Sequence, residues 1–167
     1  MTFVDALLGP GTDRDPLPGS APDLSLFGQF AGDWAMDVEF FDESGARIYH
    51  GVGGWHFAYI LDRRAIQDVF WYPLDGGGRG IGTTVRTRAA DRDEWQIVYI
   101  GAVSGATAIL RGGRDGDTIR LHGIDSDGHN RWTFSDITPD SFNWTGQLSP
   151  DGVSWRTNHR MRGTRLA

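Results

Sequence analysis

Hydrophobic and polar residues alternate with a period of two along most of this chain. Trp34, Met36, Val38 and Phe40 interleave with Ala35, Asp37, Glu39 and Phe41, the pattern of a strand with one buried face. D-E-S-G at Asp42 to Gly45 reads as a hairpin turn, and a long second strand follows to about Tyr59. Gly51, Gly53 and Gly54 interrupt that strand, which predicts the bulge or sharp coil that closing a small barrel requires. A turn at Leu61 to Arg64 leads to a third strand, Ala65 to Tyr72, and Pro73 to Gly80 reads as a glycine-rich hairpin loop placed to act as a lid. Seven more strands are predicted at about Gly82–Ala89, Glu94–Ile100, Thr107–Arg114, Thr118–Asp125, Asn130–Ile137, Ser141–Ser149 and Val153–Arg162. The turns between them (A-D-R-D, R-D-G-D, D-S-D-G, T-P-D, S-P-D-G) are built from residues that tolerate positive φ or cap the backbone.

Hairpin after hairpin makes a meander, and a meander this long removes its exposed edges by closing on itself. The expected fold is therefore all-β: a single antiparallel up-and-down barrel of about 8–10 strands with a short N-terminal helix. A two-sheet sandwich is the rival, but its Greek-key crossings need longer connections. Residues 1–22 form an irregular N-terminal arm rich in Pro, Gly and Asp, with one apolar group (Phe3, Val4, Leu7, Leu8) suited to a docking helical turn. The barrel domain spans 23–167. It opens on a short helix capped by Asp23, with Leu24, Phe27 and Phe30 on one face and Gly32 at its end.

Composition narrows the class. With 167 residues there is room for one well-buried core, and twenty aromatic residues supply bulk that a barrel interior can absorb. A net charge of −6 with dispersed arginines offers no basic patch, so nucleic acid is not an expected partner. No stretch approaches the ~18 apolar residues of a membrane helix, and no signal peptide is read at the N-terminus. Without cysteine there is no disulfide or thiolate site, and the expected location is cytoplasmic.

G-D-W at Gly32 to Trp34 opens the first strand after a short helix, and Arg160 and Arg162 lie near the end of the last. This resembles the calycin superfamily, the lipocalins and their relatives. The resemblance implies that Trp34 sits at the closed end of the barrel with a late arginine packed over its ring. G-W-H-F-A-Y-I-L-D-R-R-A-I-Q-D-V-F, R-W-T-F-S-D-I-T-P-D-S-F-N-W and S-P-D-G-V-S-W-R are similar to an uncharacterised bacterial family of calycin-like barrels, over about Leu24 to Arg165. Among calycin relatives, nitrobindin holds haem through a late histidine, at about the place of His159. Its first-strand glycines are replaced here by Met36 and Val38, which disfavours haem, so no cofactor is expected.

The candidate chemistry lies on strands. Trp155, Thr157, His159 and Met161 share one face of the last strand; if that face is inward, His159 enters the interior as an acid, base or anchor. The structural alternative is a core histidine satisfied by one hydrogen bond. Asp68 alternates with Ile66 and Phe70, and a carboxylate on an apolar face is costly unless paired. Val69 and Trp71 make the other face equally apolar, so a solvent-facing Asp68 is equally consistent with the pattern. His56 faces in with Ile48 and Val52 or out, with Trp55 and Phe57 then inward, because one slip in register reverses the faces. Tyr99 shares a face with Trp95 and Ile97. Trp55, Trp71, Tyr99, Trp132 and Trp144 are the aromatics expected to line a ligand site. No metal spacing and no G-x-S-x-G is present.

Three functions follow. One is binding of a small hydrophobic or aromatic metabolite in an aromatic-lined cavity. The second is a cofactor-independent enzyme (cyclase, isomerase, decarboxylase or hydratase) using His159 with Asp68 or His56 as acid and base. The third is an interaction module whose arm builds a homodimer.

Overall fold

The first strand pair sets which residues enter the interior. In the computed structural model, which describes residues 2–8, 22–88, 91–125 and 128–167, Trp34 lies directly opposite Trp55. Directly paired residues share a face, so Trp34, Met36 and Val38 turn inward together with Trp55 and Phe57. Alternation then carries through β1 (Gly32–Phe41), β2 (Arg47–Ile60), β3 (Ala65–Pro73), β4 (Arg79–Arg88) and β5 (Trp95–Gly101). It continues through β6 (Thr107–Asp115), β7 (Thr118–Asp125), β8 (Gly128–Ser135), β9 (Ser141–Ser149) and β10 (Arg156–Arg165). Each strand pairs antiparallel with the next, and β10 returns to β1 from Trp34↔Arg165 to Phe40↔His159, closing the barrel. The sandwich alternative is thereby excluded.

Gly53 is where β2 comes closest to β3. A Cβ there would run into the backbone carbonyl of Trp71, a contact only glycine avoids.

Among the strand boundaries that differ from expectation, β8 is displaced to Gly128–Ser135, β10 runs on to Arg165, and two strand starts shape the open end. β4 begins at Arg79, so the glycine-rich loop shrinks to 74–78. β10 begins at Arg156 because the Asp151 carboxylate holds the preceding turn open. Its Oδ1 accepts the backbone N–H groups of Val153 and Ser154, at 2.8 and 2.7 Å, and the Ser149 hydroxyl, at 2.9 Å. Trp155 therefore sits in the turn and not on the inward face of the last strand.

One end is sealed. α2 (Ser25–Gly28) inserts Phe27 between Trp95 and Phe134, with ring centroids 4.8 and 5.7 Å away, and Phe30 packs on Phe142 at 4.9 Å. Burying a side chain of this size contributes about 2–3 kcal/mol. The N-cap is Leu24 and not Asp23, which stands one residue earlier and accepts the N–H of Ser25 at 2.9 Å. The Trp34 indole donates to the Phe30 carbonyl at 2.7 Å. The arginine over Trp34 is Arg165, 4.1 Å from the ring, and not Arg160 or Arg162, which point outward from β10. Its guanidinium also donates to the carbonyls of Gln29, Ala31 and Pro139, at 2.6–2.8 Å, tying α2 and the β8–β9 turn to the floor.

The other end is open. Phe40, Tyr49, Phe70, Tyr72, Tyr99, Trp132 and His159 face inward yet are only half-buried, whereas the inward residues near α2 are fully buried. Solvent thus enters from the end that carries the turns 42–46, 74–78, 102–106 and 150–155. The short helix α1 (Phe3–Leu8) lies outside, with the Leu7 carbonyl accepting the Leu61 N–H at 2.8 Å. Residues 9–21, most of the expected arm, lie outside the described residues. Among the described residues no helix is long and apolar enough to cross a membrane.

Candidate ligand-binding site

The open half of the lumen is walled by aromatic rings. Phe40 stacks on Tyr49 at 4.9 Å and meets Tyr72 edge-on at 4.8 Å, and Tyr49 donates its hydroxyl to the Pro73 carbonyl at 2.6 Å. Across the lumen, Tyr99, Trp132 and Trp144 form a chain of edge contacts at 5.7 and 5.5 Å, and Trp144 reaches Trp55 at 6.1 Å. Tyr99 and Trp132 are half-buried on this inward face, whereas Trp55 and Trp144 are buried among the inward rings. Trp71 is not among them: it points outward from β3, the face opposite Phe70 and Tyr72, where Arg79 covers it at 5.7 Å.

His159 stands among these rings. It lies 4.5 Å from Phe40 and 6.3 Å from Trp144, both edge-on, and no described group hydrogen-bonds its imidazole. Burial alone pushes it down from 6.5 to about 4, with no charged neighbour close enough to counter that. The ring is therefore neutral near pH 7, one nitrogen a donor and the other an acceptor. A bulge at Asn158, between Thr157 and His159, brings the next side chain into the lumen as well. Its Oδ1 lies over Gly146 beside Trp144.

Asp68 faces inward, not to solvent, and is almost fully buried against a fully buried Arg86. Its other oxygen accepts the Thr84 N–H at 3.1 Å. Burial pushes its carboxyl up, while the Arg86 charge and the hydrogen bonds pull it down; the Trp55 indole leans towards it without closing an ordinary hydrogen bond. Arg86 lies 5.0 and 5.3 Å from the rings of Phe27 and Phe57, so this pair belongs to the sealed half. His56 is on the outer wall, where its Nδ1 meets Asp33 Oδ1 at 2.7 Å and its Nε2 accepts the Trp71 indole N–H at 3.3 Å. The residues proposed to share acid–base work are thus dispersed: His159 in the open lumen, Asp68 locked by Arg86, His56 outside.

Several buried polar atoms lack a partner: the indole N–H of Trp55 and of Trp144, Nε and Nη2 of Arg86, and Oδ1 of Asn158. Each such atom costs about 1–3 kcal/mol. Sequence reading missed Arg86, Asn158 and Arg165. Arg86 was legible in principle, since it alternates with Gly80, Gly82 and Thr84 on one small-residue face; Asn158 was not, because a bulge turns it inward.

Haem fits this lumen poorly. Met36 and Val38 are fully buried and project into it, and Phe40 packs directly on the His159 ring. Among the described residues no group of three or more His, Asp or Glu is placed to hold a metal ion.

The fold is a closed ten-strand antiparallel barrel, sealed at one end by α2. Structures of similar architecture include Rv2717c from M. tuberculosis, with a TM-score of 0.66 at 17% identity, covering 89% of this chain and 100% of that one. The S-type phycobiliprotein lyase CPES from Guillardia theta aligns with a TM-score of 0.62 at 13% identity, covering 90% and 94%. A redesigned β-barrel aligns with a TM-score of 0.50 at 12% identity, covering 87% and 99%. Identities this low carry the fold and nothing further. No protein-family model and no curated protein matches the chain.

Proposed function

We propose that this protein binds a small hydrophobic or aromatic molecule in the open half of the barrel. Its rings lie against Tyr99, Trp132 and Trp144, and its polar end is held by His159, Asn158 and Trp144. The observation that carries this is the set of unpartnered polar atoms at the lumen wall, above all the Trp144 N–H and Asn158 Oδ1 beside the unbonded His159 ring. A donor and an acceptor without partners, on residues next to a neutral imidazole, suit a ligand with a carbonyl and a hydroxyl or amide N–H. The absence of a charged neighbour at His159 favours binding over the enzyme alternative, which needs two convergent titratable groups. A phycobiliprotein lyase of similar fold is in keeping with a ligand-holding barrel but does not carry the point.

Native mass spectrometry of protein purified from its own host should retain an organic adduct, and the lumen should take up 8-anilinonaphthalene-1-sulfonate saturably. Trp144→Phe keeps an aromatic six-membered ring but removes the N–H with the rest of the indole, so affinity for a retained ligand should fall at least tenfold, with a lower Tm from the space it leaves. No adduct together with no saturable uptake would sink the proposal.

The homodimer expected through the N-terminal arm falls mostly outside the described residues; a separate support for self-association is an aliphatic row on the outer wall. Val85, Val98 and Ile109 are direct cross-strand partners, and Ile124 follows on β7; Ile109 and Ile124 are 64% and 71% exposed. The flanking charges are neutralised within the chain, Arg111 by Glu94 and Arg120 by Asp115, so a second copy meets no repulsion. A patch of this kind marks an interface. Sedimentation velocity should show a dimer that Ile109→Lys converts to monomer; a wild-type monomer at all concentrations rejects it.

A further inference from the structure

A second cluster of chemistry lies on the outer wall, away from the lumen. Arg131 points outward from β8 with its guanidinium laid on the Trp155 ring, 4.0 Å from the centroid. Its Nε donates to Gln147 Oε1 at 2.8 Å, which fixes the plane from the side. Among the described residues no carboxylate pairs with it. His122 is its direct cross-strand partner on β7, and His122 and His129 both present their rings edge-on to Trp155, at 6.3 and 6.5 Å. Gly152 closes the far side, with room for nothing larger before its side chain would press on the His129 ring. These residues line a cleft of about 600 Å³ between β7, β8 and the 150–155 turn.

Arg131 and Asp151 are the charged residues that line the cleft. Arg120 is held by Asp115 at 2.6 Å. Asp151 lines the cleft as a carboxylate whose Oδ1 is turned into its own loop by Ser149, Val153 and Ser154, which hold it ionised and away from the Arg131 guanidinium. Among the described residues Arg131 is thus a cation without a carboxylate partner, held in one plane by Trp155 and Gln147. The field is felt locally: burial, then Arg131 and Arg120, push His122 below its ordinary value, with only Asp115 acting against them. A guanidinium fixed by stacking and a lateral hydrogen bond has lost its rotamer freedom before any ligand arrives.

We propose that this cleft binds a small oxyanion of the phosphate class, taken by the free edge of Arg131 with the N–H groups of His122 and His129 as further donors. A planar fork and two imidazoles reach the anion from three chain positions, an arrangement that suits a tetrahedral group. Coupling is reciprocal, so a bound anion raises the proton affinity of His122.

The test is a titration of the full chain with inorganic phosphate, followed by NMR of the histidine Hε1 and tryptophan Nε1–H signals, with sodium chloride matched for ionic strength. The expected result is a saturable shift of His122, His129 and Trp155 and an upward move of the His122 titration with phosphate. Arg131→Gln should weaken binding at least tenfold and abolish the move; Arg131→Lys, which keeps the charge but not the stacked plane, should fall between. Tighter binding of glycerol phosphate identifies a soluble phosphomonoester, and co-sedimentation with phosphatidic acid vesicles identifies a lipid headgroup; both support the site. Shifts that chloride reproduces, or that survive Arg131→Gln in a variant with an unchanged amide spectrum, overturn it. Either outcome leaves the lumen proposal standing, since no residue is shared.

Discussion

Arg86→Met should destabilise the fold by about 3–5 kcal/mol, the largest effect expected of any single substitution here. The reason is the partner it abandons. Asp68 is almost fully buried, faces the interior, and keeps only the Thr84 N–H as a close donor once the guanidinium is gone. A buried carboxylate without its cation must either stay charged in a poor solvent or take up a proton. Burial already pushes Asp68 up, and removing Arg86 takes away the largest opposing influence, so its folded value rises further above the unfolded one. A raised acid adds stability below its unfolded value and loses it as pH climbs through the folded one. The deficit of Arg86→Met, read by urea denaturation, should therefore be smaller at pH 4 than at pH 7. Adding Asp68→Leu to Arg86→Met should recover most of the loss, because two apolar side chains of similar volume need neither charge nor desolvation. A double variant no better than Arg86→Met would mean that the pair itself, and not the stranded charge, holds the sealed half together.

Acid should weaken the protein through His159 next. Its ring sits in the aromatic lumen with a folded value of about 4 against 6.5 when free. The unfolded chain then binds a proton that the folded chain refuses between pH 6.5 and 4, so stability falls with falling pH across that window. The shift corresponds to at most about 3 kcal/mol, and solvent access from the open end reduces it to about 2. His159→Gln should remove this slope and leave the part below pH 4 unchanged, since the depressed carboxylates Asp23 and Asp42 titrate there. Parallel profiles of wild type and variant, by urea denaturation from pH 7 to 4, would show that the folded state tolerates the imidazolium and that the lumen is wetter than its rings suggest.

These two residues show how differently the chain discloses its interior. His159 was placed by alternation alone, because Met161 and the strand period put it on an apolar face. Asp68 was not, since Ile66, Phe70, Val69 and Trp71 make both faces of β3 apolar, and the pattern has no preference between them. The inward choice follows from Arg86, which stands two strand residues beyond Thr84, the direct partner of Asp68 on β4. His56 and Trp71 depended on register in the same way. Trp34 opposite Trp55 puts both on the outer wall, where they meet Asp33 and each other.

What the amino-acid sequence determined by itself was the class of structure: ten strands from period-two alternation, hairpin turns from Asp, Gly and Pro, and a short helix within Asp23 to Gly32, found at Ser25–Gly28. These are local properties, written within a few residues of each other. What the tertiary structure decided was everything that depends on which strands meet. Register chose the facing of Asp68, His56 and Trp71. The bulge brought Asn158 beside His159, and closure carried Arg165 from the last strand to the first tryptophan. It also laid Arg131 on Trp155, twenty-four residues further along the chain. Pairing across a closed sheet joins residues remote in sequence, and no local pattern encodes the offset at which two strands align.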